Sequence, residues 1–221
     1  MIASGSSGNA TLINDSILID AGVPFAKLAP HAGKIKLALL THVHGDHFKP
    51  STVHKLHQLH PAIRWACCEW MVQPLVDAGV SKRVIDVLTL DGCGGYQWFG
   101  GYDGLEWLRI SPSEIPHNVR NCCYKITLQT GEQLFYATDC ATLDGIHAEG
   151  FDYYFLEANH SRAEIEARIA AKQAAGKFAY ELEAARNHLS YEQAMDWLAA
   201  NAGPDSRYIL LHQHREKEEH T

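Results

Sequence analysis

Three histidines and an aspartate lie within one short stretch of the chain, Thr41-His42-Val43-His44-Gly45-Asp46-His47. Imidazole nitrogens and carboxylate oxygens are donors that bind divalent metal ions in proteins. A turn can direct all four side chains to one point, whereas the alternation of a strand would separate neighbours. We expect Gly45 to allow the tight bend that brings His47 back toward His42 and His44. The stretch therefore predicts a metal site rather than a histidine-rich loop that binds nothing.

The elements on either side of this stretch predict how it is held. Residues 36–40 form a compact apolar run that is typical of a buried strand. Pro50 suits the first turn of a helix, where a missing backbone N–H carries little cost. The metal-binding stretch therefore occupies a strand-to-helix loop.

Short β-rich runs and amphipathic stretches alternate along the rest of the chain, which favours a layered α/β protein. A hairpin is predicted at the start, with strands over 10–14 and 16–20. Further strands are predicted over 63–66, 84–88, 105–110, 122–128 and 133–137, with a glycine-rich turn region over 92–104. Two helices and a strand are expected to close the chain, over 161–175, from the capping box at Ser190 to near 203, and over 208–211.

Length and composition predict one globular domain, residues 1–214, followed by a polar tail, residues 215–221. The chain has 221 residues, of which 46% are apolar. It contains no run of about 18 apolar residues and no signal-peptide pattern, so we expect a soluble, cytoplasmic protein that does not bind membranes. The formal net charge of −7 argues against a protein that coats nucleic acid non-specifically. The six cysteines are expected to be reduced and mostly buried.

The stretch from Thr41 to His47 resembles the metallo-β-lactamase superfamily, whose hallmark is His-x-His-x-Asp-His after a strand. This resemblance implies an α/β fold, the αββα sandwich of two mixed β-sheets flanked by helices. It also implies two divalent metal ions, with zinc as the default ion and manganese as the competitor.

The same resemblance implies the remaining ligands. His117 would complete the first ion's site with His42 and His44, and Asp139 would bridge both ions. His212 would join Asp46 and His47 on the second ion. His214 lies two residues further along and is the alternative last ligand.

Motifs outside the metal-binding stretch narrow the resemblance. Ser4-Gly5-Ser6-Ser7-Gly8-Asn9, Ile19-Asp20-Ala21-Gly22 and His188-Leu189-Ser190 are similar to the YycJ-type single-domain nucleases, along almost the whole chain. Glu157-Ala158-Asn159-His160 followed by His188 is similar to the tRNase Z pattern, in which a Glu and a His outside the metal shell work as a pair. The resemblance implies that His188 protonates the leaving oxygen and that Glu157 orients it. Asp46, Glu157 and His188 are thus the predicted catalytic residues.

Three departures from these relatives bear on the details. Asn118 stands where an acidic residue often follows the third histidine, Tyr191 replaces an asparagine, and a second His-Leu-Ser is missing near His212. The segment between Asp139 and His212 is also too short for an inserted nucleic-acid clamp domain.

The predicted function is a metal-dependent phosphodiesterase or nuclease, an exonuclease on DNA or RNA, whose partner is a nucleic acid or another phosphodiester. The alternative is a hydrolase of small esters, thioesters or lactones. The choice between DNA and RNA and the oligomeric state stay open.

Overall fold

Two β-sheets form the centre of the protein. The computed structural model describes residues 1–90, 97–102 and 105–213. The first sheet has the strand order β1-β2-β3-β4-β5. Its strands are β1 (Thr11–Ile13), β2 (Ile17–Ile19), β3 (Leu37–Leu40), β4 (Arg64–Cys68) and β5 (Ile85–Leu88). The predicted hairpin is confirmed, since β1 and β2 pair antiparallel, and the other neighbours pair parallel.

The second sheet has the order β11-β10-β9-β8-β7-β6. Its strands are β6 (Gln97–Tyr102), β7 (Leu105–Ile115), β8 (Asn121–Thr127), β9 (Gln133–Ala137), β10 (Tyr153–Glu157) and β11 (Arg207–Leu211). Strands β9, β10 and β11 pair parallel, and β6 to β9 pair antiparallel. Both sheets are therefore mixed, as predicted.

Helices cover the outer faces of both sheets. They are α1 (Phe25–Leu28), α2 (Pro50–Leu59), α3 (Val72–Asp77), α4 (Arg162–Ala174), α5 (Glu181–Asn187) and α6 (Tyr191–Asn201). Pro50 begins α2 as expected, and Ser190 and Gln193 form the predicted capping box at α6. Among the described residues, no helix is both long and apolar enough to cross a bilayer.

Strand alternation explains the layers. In β3, Leu37 and Leu39 face the second sheet, while Ala38 and Leu40 pack under α1 to α3. In β9, Tyr136 faces the first sheet and Phe135 packs toward α6. The order helix, sheet, sheet, helix confirms the predicted αββα sandwich.

The structure differs from the predicted elements at three places. The region 92–104 is not only a turn, because β6 lies within it and pairs with β7. Strand β10 and helix α5 were not predicted, so three helices rather than two lie between β10 and β11. The predicted tail, residues 215–221, lies outside the described residues.

The described cysteines are buried and unbridged. They are Cys67, Cys68, Cys122, Cys123 and Cys140. Burial raises the pKa of the Cys67 and Cys123 thiols to about 12, so both thiols are protonated at neutral pH.

Candidate metal centre

The candidate ligands stand where strands end. The loop 41–49 follows β3, His117 follows β7, Asp139 follows β9 and His212 follows β11. Strand β7 runs in the direction of β9, because both pair antiparallel with β8. Asp139 and His212 have positive φ angles of 54° and 51°. This left-handed conformation is uncommon for such residues and is often kept at functional sites, where it turns the chain sharply.

The first cluster comprises His42, His44, His117 and Asp139, whose donor atoms lie within 4.8 Å of one another. His42 Nε2 is 3.6 Å from Asp139 Oδ2, and His117 Nε2 is 3.9 Å from the same oxygen. His44 Nδ1 is 3.2 Å from His117 Nε2. Three imidazoles and one carboxylate oxygen converge, which is a donor set that suits a divalent ion.

The second cluster comprises Asp46, His47, Asp139 and His212, within the same 4.8 Å limit. His212 Nε2 is 3.3 Å from Asp46 Oδ2 and 3.7 Å from Asp139 Oδ1. His47 Nε2 is 3.3 Å from Asp139 Oδ1. Asp139 thus directs Oδ2 toward the first cluster and Oδ1 toward the second, as a bridging carboxylate does.

An unpaired nitrogen tests whether these residues fit a metal ion. His42 Nε2 is buried and has no hydrogen-bond partner among the residues that the structure describes. Buried polar atoms are rarely left unpaired, so a bound cation would account for this nitrogen. Burial lowers the pKa of His42 to about 2 and that of His117 to about 4. Both rings are therefore neutral, as metal ligation requires.

Buried hydrogen bonds orient the rings of His42 and His47. His47 Nδ1 donates to Asp20 Oδ2 at 2.7 Å, and Asp20 is fully buried. The Thr41 backbone N–H and hydroxyl donate to Asp20 Oδ1, at 2.9 and 3.0 Å. The same hydroxyl lies 3.0 Å from His42 Nδ1. These contacts turn the Nε2 atoms of both rings toward the clusters.

His117 is supported from a distant segment. Its Nδ1 lies 3.1 Å from the carbonyl oxygen of Asn187, at the end of α5. The departure at Asn118 therefore leaves His117 oriented, because a backbone carbonyl supplies the acceptor that an acidic neighbour would otherwise provide.

The two clusters differ in charge when no metal is bound. Burial lowers the pKa of His47, but the carboxylates of Asp139 and Asp20 outweigh burial and raise it well above its ordinary value. Burial also lowers the pKa of His212, and the hydrogen bond to Asp46 reverses that effect and raises it. Protons therefore compete with metal for His47 and His212 more strongly than for His42 and His117.

Glu157 and His188 form a pair beside both clusters. Glu157 is fully buried, and its Oε2 accepts hydrogen bonds from the backbone N–H groups of Cys140 and Leu189, at 3.0 and 3.2 Å. Its Oε1 lies 2.6 Å from His188 Nδ1. Burial lowers the pKa of His188, but the hydrogen bond and charge of Glu157 raise it overall. Glu157 thus favours the protonated form of His188 beside the clusters.

The ring of His188 lies against ligands of both clusters. It stacks on His212 with a centroid distance of 5.2 Å and meets His117 edge-on at 5.4 Å. Asp139, Glu157, His188 and His212 also form a third group of converging donors. Both Glu157 oxygens are already occupied by N–H groups and His188, which suits the pair to proton transfer more than to metal binding.

Sequence reasoning assigned no role to three polar residues at the site. Asp20 was considered only as part of a motif. The signal that could have found it is a carboxylate directly after the apolar run Ile17-Leu18-Ile19. Asn159 Nδ2 lies 2.8 Å from His212 Nδ1, and Asn9 contacts Asp46. His214, the alternative last ligand, lies outside the described residues.

The role expected of Gly45 was wrong. Gly45 does not have a positive φ, and a Cβ at this position would meet nothing within 4 Å. Gly22 is the glycine that the loop requires. A Cβ at Gly22 would lie 1.8 Å from the Asp46 carbonyl oxygen, so only glycine allows the two backbones to approach.

A family model described as the beta-lactamase superfamily domain matches residues 15–213. A comparison with curated proteins found no match.

Solved structures share the fold at low sequence identity. The metallo-beta-lactamase fold protein YhfI from Bacillus subtilis has a TM-score of 0.66 at 15% identity, covering 98% of this chain and 85% of that chain. The short form of human tRNase Z also has a TM-score of 0.66 at 15% identity, and the match covers 97% of this chain and 91% of that chain. An isothiocyanate hydrolase from Delia radicum gut bacteria has a TM-score of 0.50 at 14% identity, covering 96% and 75%. Similarity at this level of identity establishes the fold alone.

Proposed function

The chain belongs to the beta-lactamase superfamily, and from this premise we propose that it is a two-metal phosphodiesterase that cleaves nucleic acid. Membership and the His/Asp clusters support a metal-dependent hydrolase of the metallo-β-lactamase fold. The phosphodiester substrate, exonuclease action and the likeness to YycJ-type nucleases are the finer parts of the proposal.

His42, His44 and His117 would hold one ion, and Asp46, His47 and His212 would hold the other, with Asp139 between them. Two divalent cations, when bound, activate water and stabilise the charge that develops on the scissile group. Zinc suits the imidazole-rich donor set, and manganese is the alternative because carboxylate and imidazole donors also accept it.

The pair of Glu157 and His188 is the observation that carries the choice of substrate. Cleavage of a phosphodiester releases an alkoxide-like oxygen of high pKa, which needs a proton. The 2.6 Å contact of His188 Nδ1 with Glu157 favours the protonated ring, which can donate from its other nitrogen, and the ring lies against ligands of both clusters. Two backbone N–H groups fix Glu157, so His188 is presented in one orientation.

A cleft gives access to this site from one side. It has a volume of about 530 Å³ and is lined by residues 114–120, which include His117. The volume lies within the usual range of about 300–1,000 Å³ for small-molecule sites. Exonuclease action is proposed because the segment between Asp139 and His212 is too short for a clamp domain that would hold a long nucleic acid. The structural similarity to human tRNase Z, a nuclease by its name, is consistent with the proposal.

The proposal is tested by loading the purified protein with Zn²⁺ or Mn²⁺ and following end-labelled single- and double-stranded DNA and RNA. We expect stepwise shortening that Asp46→Ala abolishes. His147→Ala is the matched control, because this exposed histidine belongs to neither cluster. Undiminished cleavage by Asp46→Ala would exclude the proposed site as the source of activity.

The second candidate is a hydrolase of a small ester, thioester or lactone. The net charge of −7 favours it, because a polyanion is repelled by such a surface. The similarity to an isothiocyanate hydrolase shows that the fold also serves small substrates. Cleavage of a small ester by a fully metallated protein that cuts no polymer would decide for this candidate.

A further inference from the structure

The N-terminal loop, residues 4–9, touches one metal cluster through Asn9. The Asn9 side chain is buried, and its Nδ2 lies 3.2 Å from the carbonyl oxygen of Asp46 and 3.4 Å from Asp46 Oδ2. The same nitrogen lies 2.8 Å from His47 Nε2. The Asn9 backbone N–H also donates to the Asp46 carbonyl oxygen at 2.6 Å. One asparagine thus contacts two ligands of the second cluster.

The loop itself determines which edge of the Asn9 amide faces the cluster. The Gly5 backbone N–H donates to Asn9 Oδ1 at 2.8 Å, and Asn9 Nδ2 lies 3.2 Å from the Gly5 carbonyl oxygen. The reverse orientation would place the amide oxygen against two carbonyl oxygens. The NH₂ edge is therefore held toward Asp46, where it can donate to the carboxylate.

The third ligand of the second cluster is also tied to this loop. The His212 backbone N–H donates to Ser4 Oγ at 2.6 Å. The first cluster differs, since His42 and His117 are supported by Thr41 and Asn187. No hydrogen bond that the structure describes joins His42, His44 or His117 to residues 4–9. The loop therefore supports one cluster selectively.

We propose that Asn9 is a positioning residue that sets the metal affinity of the second cluster alone. The Asp46 side chain is 24% exposed, against 3% for Asp139, so it has room to swing into solvent unless it is held. The Asn9 amide supplies that restraint at the Asp46 carboxylate and carbonyl, and Ser4 supplies a matching one at His212. The inference rests on the two-metal part of the proposed function and is independent of the substrate.

The test measures metal binding rather than turnover. Zn²⁺ titration of the apo protein by calorimetry gives the affinity of each step, and ¹¹³Cd NMR of the cadmium-loaded protein gives one signal for each cluster. His44→Ala and His212→Ala assign the signals to the first and second clusters. We expect Asn9→Ala to weaken binding at the second cluster by about 10–100-fold, the usual effect of removing an outer hydrogen-bond partner, and to leave binding at the first cluster unchanged.

Two further variants complete the test. Ser4→Ala should weaken binding at the second cluster by a smaller factor, and Ser7→Ala should change binding at neither cluster, because Ser7 is exposed in the same loop.

Equal weakening of binding at both clusters by Asn9→Ala would assign Asn9 a general structural role and overturn the inference. Unchanged affinities would overturn it as well. If Asn9→Ala does not fold, a Ser4→Ala protein with wild-type affinities overturns it. A wild-type protein that binds only one ion would instead contradict the two-metal proposal together with this inference.

Discussion

At the scale of single residues, chemistry depends on which atom of each side chain is free. Asp20 and Thr41 occupy the Nδ1 atoms of His47 and His42, so Nε2 is the nitrogen that remains for metal. Asp139 divides its two oxygens between the clusters. The φ angle of Asp139 is positive, a backbone conformation that costs on the order of 1–3 kcal/mol for a residue other than glycine. This conformation accompanies the division of its two oxygens between the clusters.

The role of His188 depends on the leaving group. We expect His188→Ala to lower kcat on nucleic acid by about 10²–10⁴-fold, because the ribose oxygen loses its proton donor. The loss on bis(p-nitrophenyl) phosphate should be small, since p-nitrophenolate leaves without protonation. Steady-state kinetics on both substrates, with metal content measured in parallel, check this. Equal losses on both substrates would show that His188 only supports the structure.

The charge difference between the clusters predicts pH-dependent metal binding. Asp139 and Asp20 raise the pKa of His47 well above its ordinary value despite burial, so a proton competes with metal for this ring. Burial lowers the pKa of His42 to about 2 and that of His117 to about 4, so both rings are already neutral before metal binds.

Zn²⁺ should therefore bind the second cluster more weakly as pH falls from 8 to 6, by about tenfold per pH unit for each proton displaced. Binding at the first cluster should change less, because His42 and His117 stay neutral over this range. Calorimetry in two buffers of different ionisation enthalpy measures the protons released at each step. Equal release at both steps would contradict the assigned charges.

At the scale of elements, parallel pairing places the site. Ala137 pairs with Leu156, and Glu157 pairs with Leu211. The residues that follow or end β9, β10 and β11 therefore meet at one edge, which brings Asp139, Glu157 and His212 together. The loop after β3 is positioned by close packing of Gly22 against Asp46.

Gly22→Ala should distort the loop after β3. A Cβ at this position meets the Asp46 carbonyl carbon and oxygen, which are backbone atoms that cannot rotate away. We expect a loss of about 1–3 kcal/mol in the free energy of unfolding and weaker binding of the second ion. Denaturant unfolding and metal analysis measure both. Gly45→Ala is the control and should be tolerated, since open space surrounds that position. The opposite ranking of the two variants would refute this account of the loop.

At the scale of the whole molecule, each cluster draws ligands from both sheets. His42 and His44 follow β3 of the first sheet, while His117 and Asp139 follow strands of the second. The second cluster is divided in the same way. Between the sheets lies a shared apolar core that includes Leu39. Metal ions at this edge would link the two sheets through their shared ligands, in addition to the apolar contacts of the core.

Metal removal should therefore lower thermal stability. An ion that binds only the folded state stabilises it by about 4 kcal/mol when its free concentration is 1,000 times its Kd. We expect chelation to lower Tm by several degrees and re-addition of Zn²⁺ to restore it, as measured by calorimetry. Chelation should lower the Tm of Asp139→Ala much less, because this variant lacks the carboxylate oxygens that face both clusters. An identical response in this variant would place the stabilising ion elsewhere.

Several elements could be predicted from sequence because their signals are local. The hairpin of β1 and β2, the start of α2 at Pro50 and the capping box at Ser190 depend on neighbours in the chain. Strand β10 was missed because both of its faces are covered by apolar residues, so its sequence does not alternate between apolar and polar residues. Strand β6 was missed because glycine-rich composition indicates turns, and its pairing with β7 overrides that preference.

The sequence by itself determined the donor types, the strand-to-helix loop that carries four of them, and the family to which the pattern belongs. Only the tertiary structure decided that Asp20 lies behind His47, that the Asn187 carbonyl supports His117, and that Asn9 contacts Asp46. These contacts join segments that are far apart in the chain. Their geometry depends on how the two sheets pack and in which register, and local propensity carries no information about either.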